Sequence, residues 1–337
     1  MSVLIIGVDV SKNKLDVCIK LANEKNPIDL GEFPNTPTGF KQIKEKVVRN
    51  SVEQSTIIEI VLEPSGGYEL PLARFALKAG WQVYMPNPYK VRKWAQGTTG
   101  RAKTDKLDAR VLARYGANEE LKQWKPLPEH LQHLDELLKR QDDLKESLNR
   151  EKNRLGILQS QGIKSGIALE SLKRSIQWLQ EELQRLEDEL KRFMNNHPDL
   201  KEQCEKLKTI PGVGPRNALF LLVLLHHWQL LNNGNGSYKG LVAYVGLDPV
   251  PYNSGTSVHR RAGISRMGDP KIRSSLYMGA MASIRSNNPL GSFYKRLVGR
   301  GKQKKVALVA STRKILVWSL AIFKKDCVFD PTFALPN

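Results

Sequence analysis

Two short apolar runs separated by a polar turn open the chain, and they restrict its fold more than any other feature. Residues 3–8 and 15–19 are typical of strands, and the turn at residues 11–14 is short enough to make the two strands antiparallel. Helix-like and strand-like segments then alternate, at residues 38–48, 57–62, 69–79 and 82–85. An antiparallel pair followed by βα alternation predicts an α/β domain over residues 1–122.

A long helical segment with regular leucine spacing follows the prolines near residues 124–128. Apolar residues keep a 3-4 spacing through charged positions between residues 169 and 193, and less perfectly between 134 and 158, which is typical of a coiled-coil seam. The helix breaker at residues 161–166 means that the two helices either fold back as a hairpin or pair with another subunit. The regularity of the seam favours contact between subunits. The sequence therefore predicts a coiled-coil segment over residues 123–198 and a homo-oligomer, either a dimer or a tetramer.

The net charge of the chain predicts a polyanionic partner. The formal charge is +19 with a pI near 9.8, and residues 270–325 contain no Asp or Glu at all. A run of solvated lysines is the ordinary explanation, but a stretch this long without counter-charge favours contact with phosphate. This stretch lies in a third, mainly α-helical region, residues 199–337. Near its start, from Thr209, the region contains TIPGVGPRNALFLL, which is similar to the hairpin of a helix-hairpin-helix module.

Four carboxylates in the first third of the chain occur where a metal-dependent nuclease would place them. Asp9 follows the first strand, and Glu63 closes the strand at residues 57–62. Asp105 and Asp108 lie three residues apart in a helix-compatible stretch, so both project from one helical face. Taken singly, each has a simpler explanation as a turn residue or part of a solvated helix face. Together they have the oxygen donors that hard cations prefer, and two Mg²⁺ ions roughly 3.5–4 Å apart would assist phosphodiester chemistry, with Mn²⁺ as a substitute.

Short motifs in a fixed order carry a resemblance to a known family. They are GVDVSK around Asp9, LEPSGGYE around Glu63, and KTDKLDA around Asp105 and Asp108. In this order they resemble the RuvC-like domain of the DEDD transposases, the insertion sequence 110 family together with the related Piv DNA invertase. Residues 207–290 carry LKTIPGVGPRNA, YVGLDPVPYNSGTS and RRAGISRMGDPKIRSSLYMGAMAS, which resemble that family's C-terminal transposase domain. The resemblance implies an RNase H-like fold for the first domain, and the predicted strand order is compatible with it.

The resemblance also implies a nucleophilic serine. The family carries a serine in an SG motif that attacks a DNA phosphate and forms a covalent intermediate. Ser254 matches that position, and Ser257 is the second choice. Without the family, a serine beside a glycine in an exposed loop at residues 252–257 would indicate only a turn. His259 is the only histidine nearby, so the sequence offers no His–Asp pair as a base.

Nucleic acids are the expected partners of the chain. The resemblance implies double-stranded donor and target DNA as partners, and a structured noncoding RNA of the element that guides their choice. Two glycines of the hairpin motif would let backbone N–H groups approach a phosphate, and several cations of the last region would bind phosphate as well. The candidates are Gly212, Gly214, Arg260, Arg261, Arg266, Lys271, Lys302, Lys304 and Lys305.

The cysteine content and hydropathy of the chain point to the cytoplasm. Cys18, Cys204 and Cys327 are far apart and odd in number, which indicates neither a zinc site nor a disulfide framework. The most apolar run, residues 218–225, is too short to span a bilayer, and the N-terminus lacks the pattern of a signal peptide.

Two alternatives to a recombinase remain open from the residues. One is a RuvC-type junction resolvase, which would hydrolyse phosphodiesters with water and the four acids alone. The other treats residues 1–122 as an actin-like ATPase or a degenerate nucleic-acid-binding scaffold, because a first strand ending in GVDVS also opens such folds.

Overall fold

The computed structural model of the protein forms two compact units, Met1–Pro126 and Leu127–Asn337. It describes residues 2–21, 24, 26–50, 56–98, 105–163, 166–254 and 258–334, with the backbone alone at 105–107, 251–254, 258–262 and 333–334. The sequence led us to expect a separate middle segment, but the structure groups that segment with the C-terminal region in the second unit.

The first unit is built on a five-stranded sheet of mixed direction. Its strands are β1 (Val3–Val10), β2 (Lys14–Leu21), β3 (Ile28–Pro34), β4 (Ile57–Leu62) and β5 (Gln82–Tyr84), and its helices are α1 (Pro37–Asn50), α2 (Leu70–Lys78), α3 (Pro88–Thr98) and α4 (Asp105–Asn118). The strands lie in the order β3-β2-β1-β4-β5. β1 pairs antiparallel with β2 and parallel with β4, which confirms a mixed α/β domain.

Side chains alternate between the two faces of the sheet along β1, and this decides which helices each residue packs against. Leu4, Ile6 and Val8 belong to the core that includes residues of α1 and α2. Ile5 belongs instead to a second core with residues of α3 and α4, so the helices cover both faces of the sheet. Because side chains alternate along a strand, Asp9 is on the same face as Ile5, the face that α4 covers.

Two elements of the first unit carry no clear signal in the sequence. β3 contains Gly31 and ends at Pro34, both unfavourable inside a strand, yet it pairs with β2 along its length. α3 begins with Pro88 and buries only Val91. Both elements are held by their neighbours in the sheet and the helical layer, which a local sequence window does not show.

The second unit begins with a hairpin of two long helices, α5 (Glu129–Ser160) and α6 (Ile167–Asn196). Leu144 and Leu148 of α5 form one buried cluster with Leu179 and Leu183 of α6. These four leucines of the seam are therefore buried by contacts within the chain. This is the hairpin alternative, and it corrects the expectation that these leucines pair with another subunit.

The rest of the second unit is mainly helical. It comprises α7 (Pro198–Lys208), α8 (Pro215–Leu231), α9 (Tyr238–Val245), β6 (Pro249–Ser254), β7 (Val258–Ile264), α10 (Pro270–Ser283), α11 (Pro289–Gly299) and α12 (Lys304–Lys325). One core joins these helices to the base of the hairpin, where Leu131, Leu134 and Phe193 are buried.

α12 is the one helix of the described chain that is long and apolar enough to cross a membrane by length and composition. More than half of its apolar window is buried inside the protein, and Ile315, Leu316 and Trp318 belong to the core of the second unit. Its buried hydroxyls, such as those of Ser311 and Thr312, donate to carbonyls one turn earlier. These contacts are those of a core helix.

Candidate active site

The parallel pairing of β1 with β4 places two of the predicted carboxylates side by side. Val8 is level with Leu62 in the register of these strands. Asp9 and Glu63 are the next residues along each chain, so they are level at the same edge of the sheet. Val61 packs on the α4 side of the sheet, and Glu63 lies two residues further on, as Asp9 lies two residues beyond Gly7. Both acids therefore occur at one end of one face.

α4 brings Asp108 and the backbone of Asp105 to the same end. It crosses β1 so closely at Gly7 that a β-carbon there would overlap the backbone of Ala109 and Ala113. One turn further on, Gly116 packs against Ile5 and Val61. The helix thus runs opposite to β1, and its first turn, with Asp105 and Asp108, is directed toward the end where Asp9 lies. Asp108 is half-buried, whereas the structure describes only the backbone of Asp105.

Charged neighbours accompany the two strand-end acids. Glu63 is 26% exposed, and its Oε1 lies 3.9 Å from a guanidinium nitrogen of Arg92, on α3. Asp16, level with Asp9 on β2, is buried and pairs with Lys14 across 3.2 Å. Arg92 and Asp16 are not recognisable in the sequence as neighbours of these acids. Their proximity depends on the position of α3 and on the β1–β2 register.

The donor chemistry of this edge fits a hard divalent cation. Asp9, Glu63 and Asp108 have only carboxylate oxygens, and Mg²⁺ prefers such ligands to nitrogen or sulfur. Within the described side chains, which exclude that of Asp105, there is no group of three or more His, Cys, Asp or Glu able to hold a metal ion. The predicted pair of metal ions therefore stays a prediction, supported by the register and the donor type.

Residues 252–254, which end at the predicted nucleophile Ser254, belong to strand β6, which corrects the expectation of a loop for that part of residues 252–257. β6 pairs antiparallel with β7, and Ser254, the last residue of β6, is level with Val258. Arg260 is level with Tyr252, and Arg261 follows it on β7. Cross-strand pairing stabilises this segment. The local sequence did not indicate a strand, because the prolines at 249 and 251 are unfavourable in one. Ser257 lies outside the described residues, and the side chains from 251 to 262 are not described.

The other basic candidates have different surroundings. Arg266 is exposed and adopts a left-handed backbone conformation with φ of 57°. The ammonium group of Lys271 lies 3.4 Å from Asp143 and 3.5 Å from Glu146, both on α5, so acids of the hairpin already contact it. Lys302, Lys304 and Lys305 are exposed at the start of α12, and within the described residues they form no ion pair.

The two glycines of the hairpin motif differ in their packing and exposure. Gly212 has φ of 91°, and a β-carbon there would lie 2.8 Å from the carbonyl oxygen of Gly279 on α10. Close packing against α10 therefore explains why glycine occupies this position. Gly214 is the N-cap of α8, is exposed, and has open space where a β-carbon would be.

Comparison with known proteins identifies the family of the chain. The model for DEDD transposases of the IS110 type, described as Transposase, matches residues 6–160, and the model described as Transposase IS116/IS110/IS902 family matches residues 204–295. The pilin gene-inverting proteins of Moraxella lacunata and Moraxella bovis are 31% identical over 335 residues, which is 98% of this chain and 98% of each relative. The insertion element IS110 uncharacterized 43.6 kDa protein of Streptomyces coelicolor is 28% identical over 168 residues, covering 49% of this chain and 38% of that protein.

A mixed α/β unit with carboxylates at one sheet edge, a basic helical unit and these matches define a DNA-cleaving recombinase or transposase. The chain belongs to the insertion sequence 110 family of transposases. Its activity is therefore transposition or site-specific recombination of DNA, which decides against the actin-like ATPase.

Proposed function

We propose that the protein exchanges DNA strands with a divalent metal, through a covalent serine–DNA intermediate, under the guidance of a structured RNA encoded by its element. The first unit is the RuvC-like catalytic domain of this proposal. The observation that carries it is the common edge shared by Asp9, Glu63 and the first turn of α4. These residues are the ones that the family motifs single out.

The carboxylates of this edge are the proposed metal ligands. Asp9, Glu63, Asp105 and Asp108 would hold Mg²⁺, or Mn²⁺ in its place, and the metal would stabilise negative charge on the phosphate during exchange. A guanidinium nitrogen of Arg92 lies 3.9 Å from Oε1 of Glu63, so a positive charge lies beside one of the proposed ligands. The sheet brings Asp9 and Glu63 to one edge, one residue beyond the last β1–β4 pair.

Ser254 is the proposed nucleophile. Its hydroxyl oxygen forms a bond to a DNA phosphorus and gives up its proton, while the bond from phosphorus to one deoxyribose oxygen breaks and that oxygen leaves as a hydroxyl. A hydroxyl of the second DNA then attacks the serine phosphodiester and releases Ser254. Because each step exchanges one phosphodiester for another, no ATP is required. Arg260 and Arg261, on the adjacent strand, are proposed to bind the phosphate.

The test of the proposed function is a strand-exchange reaction on plasmids that carry the two ends of the element and a target site. We expect recombinant product and a protein–DNA adduct that survives denaturing detergent, both lost when a chelator removes divalent metal. Addition of RNA transcribed from the noncoding flank of the element should be required, and altering its loops should change the target. Metal-dependent nicks without adduct would instead identify a resolvase that uses water.

The exposed lysines at the start of α12 are proposed to contact phosphate. Replacing Lys302, Lys304 and Lys305 with Ala should weaken nucleic-acid binding about equally on all sequences. Each lost phosphate contact should also flatten the dependence of log affinity on log salt by roughly 0.7–0.9. Fluorescence anisotropy over a series of salt concentrations measures both effects.

The matched control for the lysine variant removes three exposed lysines of the first unit, Lys41, Lys44 and Lys78. It has the same loss of charge, so a general electrostatic effect would weaken binding equally in both variants. An unchanged salt slope in the α12 variant would show that those lysines only face solvent. A changed target preference would mean that they contact bases or guide RNA.

A further inference from the structure

The ladder between β1 and β4 ends just before the two strand-end acids. The last pair in this ladder is Val8 with Leu62. Asp9 continues β1 level with Asp16 of β2, whereas Glu63 lies just beyond the end of β4, so the β1–β4 ladder does not itself fix the distance between Asp9 and Glu63. The segments that follow these acids, the β1–β2 turn and the loop from 63 to 69, come from distant parts of the sequence. Contacts outside this ladder therefore contribute to the distance between Asp9 and Glu63.

Asn35 joins these two segments through a single amide group. Its Nδ2 donates to the carbonyl oxygen of Ser11 at 3.0 Å and to that of Tyr68 at 3.1 Å. Ser11 lies two residues after Asp9, and Tyr68 lies in the loop that Glu63 begins. The backbone N–H of Asn35 also donates to the carbonyl of Asn13, at 3.0 Å, so Asn35 is itself anchored to the β1–β2 turn.

The loop on the Glu63 side is held by a buried carboxylate. Glu69 is only 6% exposed, and its Oε2 accepts hydrogen bonds from the backbone N–H of Ser65 at 3.0 Å and of Gly67 at 2.9 Å. The hydroxyl of Ser65 donates to the same oxygen at 3.2 Å. Charge-assisted bonds of this kind are about twice as strong as neutral ones. Glu69 thereby fixes the fold of the loop, and Asn35 fixes the loop against the turn after Asp9.

We propose that Asn35 and Glu69 are positioning residues that hold Asp9 and Glu63 at the separation needed to bind a divalent metal. Neither residue is proposed to touch the metal or the DNA. The inference rests on the proposed metal site. It gives Asn35 and Glu69, which are not among the four acids, the role of setting the distance between two of the proposed ligands. Removal of residues that orient metal ligands typically costs about 10- to 100-fold in metal affinity.

The experiment measures binding of Mn²⁺ to the full-length protein without DNA, from the electron paramagnetic resonance signal of free Mn²⁺. We expect Asn35→Ala to raise the half-saturating Mn²⁺ concentration by at least about 10-fold. Strand exchange by this variant should recover at saturating metal. Thermal unfolding in chelator should stay close to that of the wild type, because Asn35 lies at the end of a strand and outside the buried core.

The variant Asn35→Asp distinguishes a positioning role of Asn35 from a direct effect of charge on Mn²⁺ binding. Aspartate has nearly the same shape as asparagine, but it has no N–H donors and places an oxygen against the carbonyls of Ser11 and Tyr68. A positioning role predicts weaker Mn²⁺ binding. A role through charge alone predicts tighter binding, because the variant adds a negative charge near the site, and that result would overturn the proposal.

The control for these variants is Asn50→Ala, in which the lost amide donates to the carbonyl of Lys46 at the end of α1. It removes the same kind of hydrogen bond away from the acids and should bind Mn²⁺ like the wild type. Glu69→Gln, which retains the size of the side chain, should weaken Mn²⁺ binding in the same direction as Asn35→Ala. If Asn35→Ala does not fold, Asn35→Asp and Glu69→Gln decide the question.

Asp9→Asn in the same titration distinguishes failure of this inference from failure of the metal site. If Asp9→Asn binds Mn²⁺ as the wild type does, the proposed metal site is wrong. If Asp9→Asn loses binding while Asn35→Ala and Glu69→Gln retain wild-type affinity, the metal site stands and the positioning role is wrong.

Discussion

Replacing Asp9 with Asn is expected to abolish strand exchange while leaving affinity for DNA nearly unchanged. The amide retains the size of the carboxylate but removes a charged oxygen ligand from the sheet edge, and the basic surface of the second unit is untouched. The rate should fall by at least about 10²-fold, because the loss of one preorganised electrostatic group in other active sites costs about 10²–10³-fold. Gel analysis of plasmid recombination over time, alongside an electrophoretic shift assay, measures rate and binding separately.

The same result is expected for Glu63→Gln, Asp105→Asn and Asp108→Asn, since each removes one of the proposed ligands. Glu59→Gln is the matched control, because Glu59 lies on β4 four residues before Glu63 and accepts a hydrogen bond from Tyr84 at 3.3 Å. That control should recombine normally. Wild-type rates in two or more of the four acid variants would disprove the assignment of this edge as the metal site.

Ser254→Ala is expected to remove the covalent protein–DNA adduct completely and to stop recombination. Alanine retains the backbone conformation of the ribbon and deletes only the hydroxyl oxygen that would bond to phosphorus. Non-covalent DNA binding should persist, since the arginines on β7 remain. Labelled DNA that stays attached to protein in denaturing gels measures the adduct directly.

Ser257→Ala provides the comparison for this variant, because it lies three residues further along the same segment and should form adduct at the wild-type level. If Ser254→Ala still forms adduct and Ser257→Ala does not, the nucleophile is Ser257. Normal adduct in both variants would place the nucleophile outside this segment.

Much of the first unit follows from local sequence. Apolar runs of the length of a strand predict β1, β2 and β4, and the observed bounds differ from the predicted ones by two residues or fewer. Asp9, near the end of β1, and Glu63, just after β4, are recognisable because a charged residue ends each apolar run. The helical hairpin is also predictable as a pair of helices, although its pairing within the chain is not, since a leucine seam is satisfied equally well by either partner.

The sequence by itself determined strands β1, β2 and β4, helices α1 and α2, the acids near the ends of β1 and β4 and the excess of basic residues, because hydrophobic periodicity and charge are local properties. Only the tertiary structure decided that Asp9 and Glu63 are level, that α4 runs opposite to β1, and that Asn35 bridges two loops. Strand register and close helix packing join residues that are far apart in the chain. Those contacts depend on which surfaces bury each other, so no short stretch of sequence specifies them.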